Sequence, residues 1–497
     1  MNRRRTKIIA TLGPATDDTN VLGQMIESGI DVVRLNFSHG NIDLLKQRVE
    51  DVRKVCEQKG EIVAILGDLQ GPKIRISRFA DGPIKLEEDA SFCLDAGLDD
   101  DAGNKDTVGI DYKALPQDVK SGDILLLNDG AIELEVTQVD GDKVHTSVKT
   151  GGLLSNNKGI NLKGGGLSAK ALTEKDYEDI ISAVALDLDY LALSFPRDAA
   201  DIVEAREALT KHDSTIPIIA KIERIEAMEN LDAIIAAADG AMVARGDLAV
   251  EIGDAEVPAA QRRIINASRA LNKPVITATQ MMESMVNSAV PTRAEVSDVA
   301  NAVLEGTDAV MLSAETAVGE HPVKVIEAMD RVCRAAEKNP TTMQSQHRVE
   351  CTFERRDESI AMATMYIANH MDITCIIALT ESGATPLWMS RIRSGIPIIG
   401  LSRHPRTCRL MMLYRSVYPI AFDATQVDRI KLNESAINEL LTLGLVNQDD
   451  LVIITKGSMM GSHGGTCTLR VARVGETCLS RRGPYATHYT TSTARSR

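Results

Sequence analysis

Eight short apolar runs, separated by amphipathic segments, constrain the fold of this chain more than any other feature of its sequence. Such runs, alternating with segments of helical periodicity, are typical of parallel βα units. Eight units in succession predict a (β/α)8 barrel, whose active site lies at the carboxyl ends of its strands. The candidate strands are residues 7–13, 32–38, 62–69, 188–195, 217–223, 241–248, 274–281 and 308–314.

The spacing of these runs breaks once, between the third and fourth candidate strands. Residues 71–169 carry alternating apolar patterns and the turn sequences Asp129-Gly130 and Asp140-Gly141, which predict a small all-β domain inserted into the barrel. Both ends of this insertion leave the barrel at its active-site rim, so we expect a lid; a purely stabilising insertion is the alternative. The barrel itself then comprises residues 1–70 and 170–345.

A further unit follows the barrel. Strand-like and helical segments alternate again over residues 346–480 and predict a separate C-terminal α/β domain. Residues 481–497 are rich in Ser, Thr, Arg and Tyr and show no apolar period, so we expect a disordered or weakly docked tail. The predicted fold class is α/β, a (β/α)8 barrel with an inserted all-β lid and a C-terminal α/β domain.

Composition narrows the range of partners and the cellular compartment. The formal net charge of −14 argues against nucleic acid or an anionic membrane as the main partner. No apolar run approaches the roughly 20 residues of a membrane span. The eight cysteines show no C-x-x-C spacing, which favours scattered thiols in a reducing cytoplasm.

Charged pairs at two predicted strand ends indicate the chemistry. Residues two apart share a strand face, so Lys221 and Glu223 project together, and Arg245 and Asp247 are expected to do the same one strand further on. If these strands are neighbours, the carboxylates of Glu223 and Asp247 converge. Two carboxylates beside a lysine suit Mg²⁺ and a phosphate, because Mg²⁺ takes few protein ligands. A structural ion pair at the barrel rim is the alternative.

Other strand ends add polar groups to the same rim. Arg34, Asn36 and Ser38 share one face of the second strand; arginine offers a charged fork for phosphate, and the other two offer oxygens suited to a monovalent cation. The amide of Gly246 at the opening of a βα loop favours a substrate carboxylate. The remaining candidates are Asp68, Lys73, Arg75, Lys158, Thr277, Thr279, Ser313 and Glu315.

Taken together, these motifs resemble those of the pyruvate kinase family. They run in that family's order from Thr11 to Thr316 and comprise residues 11–14, 34–40, 68–73, 221–223, 244–248, 278–281 and 311–316. The resemblance implies a cytoplasmic homotetramer with a barrel, a β lid and a C-terminal regulatory domain. It also implies transfer of the phosphoryl group of phosphoenolpyruvate to ADP, which gives pyruvate and ATP in glycolysis.

The resemblance assigns roles to the matching residues. Glu223 and Asp247 would bind Mg²⁺ or Mn²⁺, while Lys221 and Arg34 would stabilise the transferring phosphoryl group. The residues implied at the carboxylate side of phosphoenolpyruvate are Gly246, Asp247 and Thr279, and those implied at the nucleotide are Asn36, His39, Arg75 and Lys158. Enolpyruvate must then be protonated, either by Thr279 with a water or through a relay that includes Ser313.

Lys73 departs from the pattern of K⁺-dependent family members. Those members carry Glu at this position and hold K⁺ with residues that match Asn36, Ser38, Asp68 and the carbonyl of Leu69. Two unit charges about 4 Å apart repel by roughly 4 kcal/mol at an effective dielectric near 20. We therefore expect the Lys73 ammonium to replace K⁺, so that K⁺ is not required; a Lys73 side chain directed to solvent is the alternative.

The C-terminal domain carries a loop that resembles the family's effector-phosphate site. It consists of Thr380, Glu381, Ser382, Gly383 and Thr385, and residues 456–466 resemble the loop that faces it. Members activated by fructose 1,6-bisphosphate often carry a basic residue near position 381. With Glu381 there, we expect a phosphorylated effector with one phosphate and a weak response to the bisphosphate.

Two other functions compete with this interpretation. A Mg²⁺-dependent barrel lyase or mutase acting on phosphoenolpyruvate or an oxoacid would also need Glu and Asp at strand ends, although it would not need a lid that faces a nucleotide. A metabolite-sensing homologue without activity would retain binding but not turnover. Formation of ATP from phosphoenolpyruvate and ADP separates the kinase from the lyase or mutase, and retained ligand binding without turnover would support the inactive homologue.

Overall fold

The first three barrel strands are buried, as parallel strands covered on both faces must be. A computed structural model describes residues 3–38, 41–343, 352–458 and 465–476. Helix α2 begins where the Asn41 side chain accepts a hydrogen bond from the Leu44 amide, and it ends at Gly60 in the left-handed conformation. These elements are β1 (Lys7–Thr11), α1 (Thr19–Glu27), β2 (Val32–Asn36), α2 (Ile42–Lys59) and β3 (Ala64–Asp68).

The insertion forms a sheet domain with its own hydrophobic core, which confirms the all-β prediction. Six strands pair in the order β11-β7-β8-β9-β5-β6, and β10 pairs with β4. The elements are β4 (Ile84–Leu86), β5 (Ser91–Asp95), β6 (Thr107–Gly109), α3 (Leu115–Asp118), β7 (Ile124–Leu127), β8 (Ile132–Asp140), β9 (Lys143–Thr150), β10 (Gly152–Leu154) and β11 (Ile160–Leu162).

The chain then returns and completes a closed parallel barrel in the order β1-β16-β15-β14-β13-β12-β3-β2, so the (β/α)8 prediction is confirmed. Seven candidate runs contain one barrel strand each, and the run at 241–248 covers all of its strand except the first residue, Gly240. The elements are α4 (Glu174–Ala185), β12 (Tyr190–Leu193), α5 (Ala199–Thr210), β13 (Ile218–Ile222), α6 (Ile225–Glu229), α7 (Leu231–Ala237), β14 (Gly240–Ala244), α8 (Arg245–Ile252), α9 (Val257–Ala270), β15 (Val275–Ala278), α10 (Arg293–Glu305), β16 (Ala309–Leu312), α11 (Ala314–Ala317) and α12 (Pro322–Ala336).

Three strand ends differ from the prediction. Strand β14 stops at Ala244 and helix α8 starts at Arg245, so Arg245 and Asp247 do not share a strand face. Thr279 lies beyond β15 with a φ of 64°, which removes it from the face of Thr277. Ser313 and Glu315 likewise belong to the start of α11 rather than to β16. In each case the strand that forms is shorter than the predicted one.

Four aspartates close the opposite, N-terminal end of the barrel. They are Asp31, Asp189, Asp239 and Asp308, which precede β2, β12, β14 and β16. Each accepts a backbone N–H bond of 2.8–2.9 Å from the preceding barrel strand, donated in turn by Ile8, Ile65, Ile218 and Val275. Each also pairs with an arginine, namely Arg4, Arg53, Arg206 and Arg391. This arrangement of an aspartate, a backbone amide and an arginine repeats at every second strand, and it fixes the alignment of neighbouring strands at the N-terminal end of the barrel.

The C-terminal domain packs beneath this floor. Lys7 Nζ donates to Val417 O at 2.7 Å, and Arg409 Nε pairs with Asp189 at 2.6 Å. The five-stranded sheet has the order β19-β18-β17-β20-β21 and only β21 is antiparallel. The elements are α13 (Arg356–His370), β17 (Cys375–Leu379), α14 (Ala384–Ser390), β18 (Ile398–Ser402), α15 (Pro405–Met411), β19 (Val417–Ala421), α16 (Leu432–Thr442), β20 (Leu451–Gly457) and β21 (Thr466–Arg473).

The α/β prediction for this domain is confirmed. The predicted domain limits at 345 and 480, and the tail at 481–497, lie outside the described residues; the other limits stay predictions. Within the described ranges, no helix combines the length and the apolar character needed to cross a membrane.

Candidate active site

Lys221 lies at the centre of a charged cluster at the carboxyl ends of β3, β12 and β13. Its ammonium is 3.0 Å from Glu223 Oε1 and 3.2 Å from Asp68 Oδ1. It also donates a 2.6 Å hydrogen bond to Ser194 Oγ, and Ser194 donates in turn to the Leu69 carbonyl at 2.7 Å. Ser194 was not among the predicted residues, because a lone serine in an apolar run carries little signal.

Asp68 binds both cations of the cluster. Arg34 Nε donates to Asp68 Oδ2 at 2.7 Å, while the other carboxylate oxygen faces Lys221. Burial by itself raises the pKa of Asp68, but Lys221 and Arg34 outweigh it and hold that pKa below its usual value. Burial also opposes the charge on Lys221, yet Asp68 and Glu223 raise its pKa. The three groups are therefore ionised together.

The carboxylate of Glu223 is less well stabilised by its neighbours than that of Asp68. Its Oε2 accepts a 2.8 Å hydrogen bond from the Phe195 amide. Burial raises the pKa of Glu223, and the carboxylates of Asp247 and Asp68 raise it further, while Lys221 opposes them. A cation bound between Glu223 and Asp247 would relieve this repulsion.

The donor set fits a small divalent ion. Within the described residues, no cluster of three or more His, Cys, Asp or Glu side chains is arranged to hold a metal. The pair of Glu223 and Asp247 would thus supply two carboxylates and leave the remaining positions to water and substrate oxygens, which is how Mg²⁺ is usually bound.

Thr279 occupies a strained turn that Arg245 supports. Thr279 and Gln280 both have positive φ, of 64° and 53°. Arg245 Nη2 donates to the Thr279 carbonyl at 2.6 Å, and Asp298 holds the same guanidinium at 2.7 Å. Thr279 Oγ1 accepts a 2.9 Å hydrogen bond from the Gly246 amide. Arg245 is thus a positioning residue, a role that its predicted strand location concealed.

Ser313 and Glu315 cap the start of α11. Glu315 Oε2 accepts from the Ser313 amide at 2.6 Å, and Oε1 accepts from the Met282 amide at 3.1 Å. The Ser313 hydroxyl is buried and has no hydrogen-bond partner in the described part of the chain. It therefore remains available for a bond to a substrate or a water.

Lys73 pairs with Asp247 and not with a residue of the predicted monovalent-cation position, which stays a prediction. Asn36 Oδ1 accepts a 3.0 Å hydrogen bond from the Ser38 amide, and the Leu69 carbonyl accepts from Ser194. Lys73 Nζ lies 3.2 Å from Asp247 Oδ1, on the metal side of the site. Its ammonium thus neutralises a carboxylate that is not one of the four proposed K⁺ ligands.

The proposed nucleotide residues lie where the lid meets the barrel. Arg75 pairs with Gly159 across an isolated antiparallel bridge, and the Lys158 carbonyl accepts from the Ile76 amide at 2.9 Å. A cleft lined by Lys73, Gly159, Asn161, Arg224, Asp247 and Glu251 opens beside them. Asn36 ends strand β2 at the same rim. His39 lies outside the described residues.

Three residues that sequence reasoning missed dock the lid on the barrel. Arg224 Nη2 donates to the Leu167 carbonyl at 2.7 Å, and the Gly166 amide donates to Glu226 Oε1 at 2.7 Å. Glu251 accepts from the Ile225 amide of the barrel at 2.9 Å and is also hydrogen-bonded to Asn161 of the lid. Burial raises the pKa of Glu251 to about 7. Only the tertiary structure brings these residues to the lid, so no local motif marks them.

This geometry defines a class of protein. A (β/α)8 barrel that gathers two cations and three carboxylates at its catalytic rim, beneath a β lid, is an enzyme built for a phosphate-bearing anion.

Comparison with known proteins makes the assignment specific. The family model "Pyruvate kinase, barrel domain" matches residues 3–326, and "Pyruvate kinase, alpha/beta domain" matches residues 358–472. The pyruvate kinase II of Salmonella typhimurium is 53% identical over 475 residues, which cover 95% of this chain and 99% of that protein. The pyruvate kinase of Haemophilus influenzae is 52% identical over 468 residues, with coverages of 93% and 98%. That of Mycobacterium tuberculosis is 40% identical over 478 residues, with coverages of 95% and 99%.

The chain belongs to the pyruvate kinase family and is a phosphotransferase.

Glu251 predicts a pH dependence of stability. Its pKa rises from an ordinary 4.5 to about 7 on folding. The unfolded chain therefore releases this proton first, so stability is lost as the pH rises through that window, by roughly 3 kcal/mol above pH 7. We expect Glu251→Gln to raise the Tm relative to the parent at pH 8 and to have little effect near pH 5. The exposed substitution Glu229→Gln is the control; equal effects of Glu251→Gln at both pH values would contradict the prediction.

Proposed function

We propose that the chain transfers the phosphoryl group of phosphoenolpyruvate to ADP and so produces pyruvate and ATP in glycolysis. The observation that carries this proposal is the cluster in which Asp68 binds both Lys221 and Arg34 beside Glu223. Phosphoryl transfer depends mainly on positioning and on neutralising charge, which two fixed cations supply. Similarity to proteins named pyruvate kinase over nearly the whole chain supports it.

Glu223 and Asp247 would hold Mg²⁺ or Mn²⁺. When bound, the divalent ion supplies positive charge that orients and neutralises phosphate oxygens. The buried Glu223 carboxylate, whose pKa burial and Asp247 both raise, supports this assignment. Lys73 pairs with Asp247 at 3.2 Å and would have to yield that oxygen to the ion.

Phosphoenolpyruvate would be held at both of its ends. Lys221 and Arg34 would bind the phosphoryl group, with their side chains kept in position by Asp68. The carboxylate of phosphoenolpyruvate would face Gly246, Asp247 and Thr279. There it would replace Thr279 Oγ1 as the acceptor of the hydrogen bond from the Gly246 amide. Asn36, His39, Arg75 and Lys158 would face ADP or ATP.

Protonation of enolpyruvate is better served by Ser313 than by Thr279. Thr279 Oγ1 already donates to the Ala278 carbonyl at 2.7 Å and accepts from Gly246. The Ser313 hydroxyl has no hydrogen-bond partner within the described residues and can join a proton relay. This is the observation that favours the Ser313 relay over the alternative.

The family resemblance also supports a homotetramer located in the cytoplasm, with no nucleic acid or membrane as partner. A phosphorylated effector would bind the loop of Thr380, Glu381, Ser382, Gly383 and Thr385. In this loop Thr380 Oγ1 accepts from the Gly383 amide at 2.9 Å, and Thr385 contacts Thr466 at 2.8 Å, so the loop is preformed. Most of the loop that faces it lies outside the described residues.

Asp247 tests the metal site and the activity together. Asp247→Ala should abolish ATP formation from phosphoenolpyruvate and ADP in a coupled assay at ordinary Mg²⁺. It should also weaken Mn²⁺ binding, measured by electron paramagnetic resonance, by a factor on the order of 10 or more, because one of two carboxylates is lost. Asp254→Ala, on the exposed loop after α8, is the control. A parent protein that turns over phosphoenolpyruvate without forming ATP would instead support a lyase or mutase, and binding without turnover an inactive homologue.

Lys73 predicts that activity is independent of K⁺. A fixed ammonium 3.2 Å from Asp247 supplies positive charge at the site and opposes a second monovalent cation nearby. We expect full activity in a potassium-free buffer of matched ionic strength, and a K⁺ requirement in Lys73→Glu. Lys85→Glu makes the same charge change on an exposed lid position and should leave the parent behaviour intact. A parent protein that is inactive until KCl is added would refute the assignment.

Glu381 predicts the choice of effector. Its carboxylate pairs with His404 Nε2 at 2.7 Å and with Arg403 Nε at 3.2 Å, so it occupies the basic groups that a second phosphate would need. We expect activation by a sugar or nucleoside monophosphate and little by fructose 1,6-bisphosphate. Glu381→Gln should free both bases and increase the response to the bisphosphate in a steady-state assay, whereas Glu434→Gln should not. Strong activation of the parent by the bisphosphate would contradict this account.

A further inference from the structure

An arginine-rich pocket lies between the floor of the barrel and the C-terminal domain, at the end of the barrel opposite to the active site. Arg269 at the end of α9 and Gly306 after α10 line it from the barrel. Arg391, Arg393 and Arg415 line it from the C-terminal domain, and Asp308 lies between the two sides. Four guanidinium groups therefore share one small space with one carboxylate.

The negative charge around this pocket is smaller than the positive charge. Asp308 is engaged in its ion pair with Arg391. The nearby Glu305 carboxylate is turned away, to Gln261 at 2.8 Å and to Arg262 at 3.2 Å. Glu337 offsets part of the charge of Arg415. Burial, followed by Arg393 and Arg391, lowers the pKa of Arg269 to about 10, as expected where cations outnumber anions.

All four arginines donate to backbone carbonyls, and Arg391, which also pairs with Asp308, donates to the Lys273 carbonyl at 2.8 Å. Arg269 Nη2 donates to the Arg391 carbonyl at 3.2 Å. Arg393 Nη2 donates to the carbonyls of Leu304 and Glu305 at 3.0 and 2.9 Å, at the end of α10. Arg415 Nη1 donates to the Thr307 carbonyl at 3.0 Å. These bonds position the guanidinium groups, but neutral carbonyls do not cancel their charge.

Two guanidinium groups keep donors directed into one small space. A β-carbon built on Gly306 would lie 3.2 Å from Arg393 Nη2, 3.6 Å from Arg393 Nε and 3.3 Å from Arg269 Nη1. Within the described residues, Arg269 Nη1 and Arg393 Nε make no hydrogen bond. The two guanidinium groups therefore pack closely over the bare Cα of Gly306, and a small oxyanion in the pocket that both arginines line can accept several charge-assisted hydrogen bonds.

We propose that this pocket is a binding site for a small tetrahedral oxyanion of the inorganic phosphate type, held between Arg269 of the barrel and Arg393 of the C-terminal domain. Because one guanidinium comes from each domain, the bound ion fastens the domains together. It adds to stability by mass action, since the unfolded chain has no such site.

Crystallography with selenate tests the location directly. Crystals of the full chain with ordinary methionine, grown without sulfate or phosphate, are soaked in sodium selenate. The anomalous difference map should then show a selenium peak between the Arg269 and Arg393 guanidinium groups. A map with peaks at other anion sites and none here would overturn the proposal. This experiment needs no variant, so a folding defect cannot obscure it.

A thermal shift experiment tests the site in solution. The Tm of the parent is compared in phosphate and in chloride of equal ionic strength. Because the active site and the effector loop also accept phosphate, the informative quantity is the part of the Tm rise that a variant loses. Arg269→Gln and the double variant with Arg393→Gln should show a smaller rise than the parent, while Arg262→Gln on the exposed side of α9 should keep the parental rise. Equal rises in all proteins, even with a selenium peak in the crystal, would mean an adventitious ion only and would overturn the proposal.

Discussion

The active site depends on one buried carboxylate that binds two cations. Asp68 holds Lys221 at 3.2 Å and Arg34 at 2.7 Å at the base of the site. Removing one partner of a buried ion pair leaves an uncompensated charge and typically costs about 3–5 kcal/mol. The three charges are therefore tolerable only as a set, and this set places two positive charges where the proposed function requires them for a substrate phosphate. Asp68 is enclosed by these two cations, so Glu223 and Asp247 are the carboxylates that would meet a metal.

The two ends of the barrel differ in how their polar groups are paired. At the floor, each of the four aspartates accepts a backbone N–H bond and meets an arginine, so all four carboxylates are paired. At the rim, Thr279 and Phe195 hold positive φ and the Ser313 hydroxyl finds no partner in the described chain. Pairing of the carboxylates stabilises the floor, whereas backbone strain and an unpartnered hydroxyl suit the rim to bind a ligand.

Much of the fold could be predicted from sequence, because parallel strands buried on both faces are continuous apolar runs. The residues at which the strands end could not be predicted in the same way. Helix α8 follows β14 without a break, and its N-cap residue Ala244 gives no side-chain cap, so Arg245 and Asp247 read as strand. The clustering of Lys221, Glu223 and Asp68 could be predicted, because all three stand at carboxyl ends of strands and these ends meet at one rim of the barrel. Ser194, Arg224 and Glu251 were missed because their roles arise from contacts between segments far apart in the sequence.

Helix α8 joins the metal side of the site to the lid. Asp247 and Glu251 are four residues apart on this helix and so lie on the same face. Asp247 meets Lys73, at the point where the chain leaves the barrel for the lid. Glu251 holds the Ile225 amide and is also hydrogen-bonded to Asn161 of the lid.

One turn of α8 therefore contacts the lid near both of its connections to the barrel. Lys73 lies on the outgoing connection, and Asn161 lies just before the returning one. Because Asp247 and Glu251 belong to one turn of α8, the position of this single helix sets both contacts with the inserted domain. The carboxylate that would meet a metal and the carboxylate that contacts Asn161 are therefore held by the same element.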